Sequence, residues 1–320
     1  PNFNLNNVPT ASISGTVTVS VSNTPAVTIS GTPNFNLNNV PTASISGTVT
    51  TNATIAGWNN ITGSVNIQNT PNITASIFTH QEGITRGQLS GQNVIVFGYN
   101  TVIGTTEEDL LFSGGTINYP TGSEAIEIVS LSVNDNITGS GIRTIKIAGL
   151  DVNYSEQTAT TNLSGTSAAA VSGTWFRINK AFSTVVGSNG NAQGNITIQK
   201  AGGGAGSTFA EITASSNVTQ QAHWTVPLNK TGYISSWNAG ADSAAGIRFS
   251  LKATIDPFAY TFTQTGSFVT LDGMICNNST NFRDLKAPIK VPAKTDIKIS
   301  GVSIGGVDAR GAGGFELYYE

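Results

Sequence analysis

Eighteen residues, Pro1–Thr18 (PNFNLNNVPTASISGTVT), recur without change at Pro33–Thr50. A finer echo runs through the same stretch. ISGT begins at Ile13, Ile29 and Ile45, ITGS begins at Ile61, and Asn-x-Pro keeps the beat at Asn7, Asn23 and Asn39, every step being sixteen residues. A fixed short period means one small unit made several times over and stacked on itself or on copies of itself. A catalytic site does not need that arrangement; a shaft, an arm or a spacer does.

The repeat segment is also free of charge. No Asp, Glu, Lys or Arg occurs from Pro1 to Thr79, and all the formal charges, 15 basic and 18 acidic, lie beyond it. Inside it, Val17-Thr18-Val19-Ser20-Val21-Ser22 and Val65-Asn66-Ile67-Gln68 alternate apolar with polar, which is the pattern of a strand with one face buried. Pro9, Pro25 and Pro41 interrupt on one side and Gly15, Gly31 and Gly47 on the other, so each unit reads as two short strands and two turns. Two or three Val or Ile side chains per strand cannot form a core alone. The stripe needs neighbouring repeats, identical chains or another protein against it, and an unguarded uncharged β-segment is an aggregation hazard. The rhythm resembles the triple β-spiral shafts of trimeric viral fibres. Residues 1–79 are therefore expected to form a β-repeat shaft or arm.

Composition narrows the classes for the rest. Charged residues are 10 % of the chain and the net charge is -3, against about 25 % charged in an ordinary domain, so no basic field attracts nucleic acid or anionic lipid. One cysteine, Cys276, excludes an intrachain disulfide framework and reads as a buried thiol. No apolar run approaches the roughly 20 residues that cross a bilayer. The chain opens on Pro1 rather than Met, so the expectation is that residues precede it or that it was processed.

From His80 onward the strand signals continue without a convincing helix. Asn93–Phe97, Ala125–Ser132, Ile142–Ala148, Glu156–Leu163, Trp175–Ala181, Asn195–Gln199 and Thr208–Thr213 read as strands, and so do Gln221–Val226, Gly232–Trp237, Ile247–Ala253, Tyr260–Thr270, Ile289–Val291, Asp296–Ser300 and Phe315–Tyr319. Turn clusters separate them. The fold class is all-β: the shaft or arm followed by two β-sandwich, jelly-roll-like domains. The glycine run Gly202–Gly206 places the seam, giving domains 80–201 and 202–320.

Candidate chemistry is sparse. His80, His223 and Cys276 are too few and too scattered for a zinc set, and His223, in Gln221-Ala222-His223-Trp224, reads as a structural histidine beside an aromatic. Glu107-Glu108-Asp109 lacks the spaced carboxylates of a calcium loop and reads as a solvated turn or a cap; Asn134-Asp135-Asn136 reads as a turn. Gly202–Gly206 is no phosphate loop, because no Lys-Ser/Thr follows. No local Ser-His-Asp or Cys-His arrangement occurs. The late aromatics, including Trp224, Tyr233, Trp237, Phe249, Phe258, Tyr260, Phe282, Phe315 and Tyr319, read first as core and second as stacking surfaces for sugar rings. No catalytic, cofactor or metal residue is assigned, no cofactor is expected, and an enzyme is not expected.

Four stretches carry a family likeness: Gly104–Leu110 with Ser113-Gly114-Gly115; Ile142–Asp151 with Asn153-Tyr154; Trp175–Asn179; and Thr225-Val226-Pro227 with Lys230-Thr231-Gly232-Tyr233. Together, over roughly residues 98–320, they resemble a family of virion structural proteins of tailed bacteriophages, marine and cyanobacterial ones especially. The resemblance implies a place in the virion. The expected protein is a fibre-like appendage, a homotrimer whose partners are its own copies and other virion proteins, with a host-surface glycan as a further partner class and with no nucleic acid or membrane partner. The alternatives are a capsid decoration protein with no receptor role and a bacterial surface adhesin or filament subunit.

Overall fold

A computed structural model describes residues 80–203, 207–242, 244 and 246–320. The expected repeat shaft over 1–79 lies outside the described residues, as do Gly204, Ala205 and Gly206 of the glycine run. The described residues belong to one compact unit.

The described chain is all-β, and every ladder in it is antiparallel. One short helix, α1 (His80–Thr85), stands among the described residues where no helix was expected. Its six residues carry no sustained apolar period, and it is held in part by its neighbours: Asn93 Nδ2 donates to the Gln81 carbonyl at 3.0 Å. The strands follow in order: β1 (Gln92–Ile103), β2 (Glu108–Asp109), β3 (Ile126–Ser130), β4 (Ile142–Leu150), β5 (Glu156–Asn162) and β6 (Ala169–Ala170). Next come β7 (Arg177–Val186), β8 (Ile196–Lys200), β9 (Thr208–Ile212), β10 (His223–Thr225), β11 (Gly232–Ala241) and β12 (Ile247–Ala253). The last are β13 (Ile255–Asp256), β14 (Thr261–Phe262), β15 (Val269–Cys276), β16 (Ser279–Val291), β17 (Asp296–Ser303) and β18 (Ala309–Tyr319). The single strand expected over Tyr260–Thr270 is divided: β14 turns back on β13, and a new strand, β15, starts at Val269.

Two apolar cores organise these strands. The first takes Ile126, Ile128, Ile142, Ile145, Ile147, Trp175, Ile178, Ile196, Ile198 and Ile212. It draws on the sheets β6-β3-β8-β9 and β5-β4-β7. The second takes Val94, Val96, Trp237, Phe249, Leu251, Ile297, Ile299, Phe315 and Leu317. It draws on the sheet β1-β18-β11-β16 and on β10-β17-β12-β15, with β2 paired to β17. β8 and β9 flank the glycine run and pair with one another, so both serve the first core. β1 and β2 serve the second, because β1 runs along β18 from Gln92↔Tyr319 to Ile103↔Ala309. The chain thus starts the second core, leaves it to build the first, and returns.

Alternation explains the strands locally. Along β1, Val94 and Val96 point inward while Ile95 and Phe97 point outward. The next inward position, Gly98, has no room for a side chain, since a Cβ there would sit 2.3 Å from both Ala222 N and Leu110 O. β16 lies at the edge of its sheet and is exposed along most of its length. Lys286, Pro288 and Lys290 stand on that strand, residues that blunt edge-to-edge pairing.

Candidate functional site

Two places in the fold concentrate chemistry. The first is a buried knot of charge where the cores meet. Arg177, the first residue of β7, is fully buried, and its Nε and Nη2 donate to Asp296 Oδ1 and Oδ2 at 2.9 and 3.0 Å. This is a bidentate pair of the kind in which the planar fork of arginine matches a carboxylate. The guanidinium also lies over the rings of Phe176 (4.1 Å) and Tyr119 (4.6 Å). Thr225 Oγ1 donates to Asp296 Oδ1 at 2.6 Å. Asn179 and Thr225 clamp β7 to β10 in both directions: the amide donates to the Thr225 carbonyl and accepts from its N–H, each at 3.0 Å.

Asp109 completes the knot. Sequence reading places the Glu107-Glu108-Asp109 cluster in a solvated turn; the structure places Glu108 and Asp109 in β2, and Asp109 is 1 % exposed. Its carboxylate accepts from Ser300 Oγ (2.7 Å), Ile117 N (2.8 Å) and Lys298 Nζ (2.9 Å). Burial raises the pKa of Glu108, but hydrogen bonds from Gly115 N, Asn100 and Gly104 N outweigh it and hold the group below the usual carboxylate range. Glu107 pairs with Lys252 on β12. The three neighbours therefore face three different partners and do not converge on a common point.

His223 sits in the same knot, its ring 5.8 Å from that of Tyr119, as a structural histidine beside an aromatic. Burial lowers its pKa from 6.5 to about 4; the carboxylates of Asp296 and Asp109 oppose that shift, and Arg177 and Lys298 add to it. A histidine with a depressed folded pKa takes up its proton more readily in the unfolded chain. Its contribution to stability is therefore complete above about pH 6.5 and is lost as the pH falls toward 4. The fall corresponds to about 3 kcal/mol once protonation is complete. Urea unfolding of the full chain between pH 7 and pH 4 is expected to show this loss, and His223→Gln to flatten it. An unchanged pH profile in the variant would remove His223 as its source.

The other candidates are dispersed. His80 lies on α1, its ring 5.2 Å from that of Tyr318 and its Nε2 3.6 Å from Glu320. Cys276 is a buried free thiol, its Sγ 3.2 Å from the Ala239 carbonyl. Among the described residues, no three His, Cys, Asp or Glu side chains are grouped to hold a metal. None of the helices among them is long and apolar enough to cross a membrane. Asn134-Asp135-Asn136 is a turn, but Asp135 is a buried hub rather than a solvated residue, and sequence reading missed it. Asp135 accepts from Ile142 N, Gln193 N, Gly194 N and Ser130 Oγ.

The second place is the outer face of the sheet β1-β18-β11-β16. Its register sets Phe97, Gly314, Asn238 and Phe282 in one cross-strand row and Tyr99, Ala312, Gly240 and Thr280 in the next. Phe97 is 50 % and Phe282 64 % exposed. A Cβ on Gly314 would lie 2.2 Å from the Val96 carbonyl, so the floor of the row is kept bare. Tyr99, Asn238, Gly240, Thr280 and the Arg310–Asp242 pair line a depression of about 350 Å³. The ion pair is made at 2.9 Å, and both partners are more than half exposed. Asn238 makes no hydrogen bond through its side chain among the described residues. A larger depression, about 870 Å³, is lined by residues of β12, β15 and β16, among them Arg248, Met274 and Arg283. The Arg283 side chain there donates to Asp272 at 2.6 Å.

The late aromatics divide as their strand faces dictate. Trp224, Trp237, Phe249, Phe315 and Tyr319 are core, whereas Phe258, Tyr260 and Phe282 are exposed. Phe97 and Tyr99 were not among the candidates. Their signal was present in Asn93–Tyr99, a strand apolar on both faces and too long for a purely one-sided pattern. No protein-family model matches the chain, and no curated protein matches it in sequence.

Proposed function

We propose that this chain is a non-enzymatic structural protein of a tailed-phage virion, a fibre-like appendage that assembles as a homotrimer and meets the host surface. The observation that carries the reading is the charge-free sixteen-residue repeat over 1–79, set before a body whose regular structure is strand apart from one short helix among the described residues. A repeat with an apolar stripe and no charge needs neighbouring repeats, identical chains or another protein beside it, and a symmetric oligomer supplies identical chains. The likeness of residues 98–320 to virion structural proteins supports the same place of action. The knot around Arg177 and Asp296 fits a mechanical part: its carboxylate oxygens are already occupied by the chain's own donors, so it braces the body instead of meeting a substrate. The copies within each appendage then add weak contacts through effective concentration.

Light scattering of the full chain tests the assembly, with an expected mass of three times the 33.1 kDa chain. A monomer at micromolar concentration would overturn the trimer. Immunogold labelling of particles tests location, with label on a few appendages expected and label at capsid-protein stoichiometry pointing to decoration instead. Particles that carry no label would remove the virion reading.

A further inference from the structure

We propose that the outer face of the sheet β1-β18-β11-β16 is a binding trough for a neutral pyranose saccharide, with Phe97 and Tyr99 as the stacking wall and Asn238 as the central hydrogen-bonding group. The inference deepens the host-contact reading, on which it rests for the source of the sugar; the chemistry of the trough stands on the face itself.

A pyranose ring presents one apolar C–H face and a rim of hydroxyls. It is recognised by an aromatic surface next to a group that donates and accepts at once. Both are present here, in one cross-strand row. Phe97 holds a ring half in water at one edge of the floor. Asn238, directly opposite Gly314, offers an amide with donor and acceptor both unused among the described residues. Three strand spacings separate β1 from β16, about 14 Å, which leaves room for two sugar rings between Phe97 and Phe282. At the rim, Arg310 and Asp242 cancel one another's charge, so the trough favours a neutral sugar over an acidic one.

A second copy of the chain fits this face less well. An interface core excludes water and pairs its polar groups. An unpaired amide and an open ion pair would be buried at a cost.

The test uses the full chain. Saturation-transfer NMR is run with methyl glycosides of glucose, galactose and N-acetylglucosamine and with their β-linked disaccharides, beside an array of bacterial surface oligosaccharides. Binding by at least one probe is expected, weakened about tenfold or more in Phe97→Ala and Asn238→Ala. Both variants are expected to keep the wild-type melting temperature. Phe258→Ala removes an aromatic that is 93 % exposed and lies outside the sheet, and is expected to leave binding unchanged. No bound probe, or binding indifferent to both trough variants, overturns the proposal. A lower oligomer mass in Phe97→Ala also overturns it and assigns the face to a copy interface. Label on particles with no sugar bound removes the trough alone; sugar bound with no label on particles removes the virion reading alone.

Discussion

Asp296→Ala is expected to destabilise the body by about 3–5 kcal/mol, the cost of leaving a buried charge without its partner. Arg177 is 0 % exposed and gives Asp296 two hydrogen bonds at 2.9 and 3.0 Å. With the carboxylate gone, the guanidinium keeps only backbone acceptors, chiefly the Phe176 carbonyl at 2.7 Å, and Thr225 Oγ1 loses its acceptor as well. Arg177→Ala should cost a similar amount, for it strands the carboxylate and removes the contacts with Phe176 and Tyr119. The two losses should not add, because each variant already breaks the same pair. Arg177→Met with Asp296→Leu, which fills the space with apolar atoms, is expected to regain part of the loss. Guanidinium unfolding of the full chain, the two Ala variants, Arg177→Ala with Asp296→Ala, and the Met/Leu variant measures the cycle. A loss below about 1 kcal/mol in the single variants would show that the knot does not brace the cores, since that is the scale of an exposed ion pair.

Asp135→Ala is the second large effect, expected at about 3–4 kcal/mol. Three backbone N–H groups, of Ile142, Gln193 and Gly194, converge on this carboxylate at 2.9 to 3.0 Å, and Ser130 Oγ donates at 2.7 Å. Hydrogen bonds to a charged acceptor contribute about 1.5–3 kcal/mol each, and buried donors left unpaired cost more than the bond was worth. Asp135→Asn preserves the shape but turns an N–H toward donors, so a smaller loss, about 2 kcal/mol, is expected. Hydrogen exchange gives the local readout, with the amides of Ile142, Gln193 and Gly194 expected to exchange faster in both variants. Unchanged protection at all three would mean that the turn holds without the carboxylate.

These residues also mark how far the sequence could be read. β1, β4, β8, β9, β12 and β17 stand close to where alternation placed them, because facing in or out is written into each strand with a period of two. Trp237 and Phe249 were recognisable as core on the same grounds, and His223 as a structural histidine from its place in an alternating strand. α1 was not, being too short to show a helical period. Gly202–Gly206 drew attention as a seam on composition; in space it is flanked by two strands that pair. Asp109 looked solvated because two acidic residues precede it. Its burial comes from Ser300 and Lys298, about 190 residues away.

The sequence by itself determined that the charged part is built on strands, that residues 1–79 repeat without charge, and which side of each strand is apolar. Tertiary structure alone decided that Arg177 meets Asp296 across 119 residues, that Asp135 gathers the amides of Gln193 and Gly194 from 58 and 59 residues away, and that Phe97 shares a row with Asn238 and Phe282. The reason is one of range. Periodicity is a local property that survives in any register, whereas the partners of a charge or an aromatic are set by which strands pair and in what register.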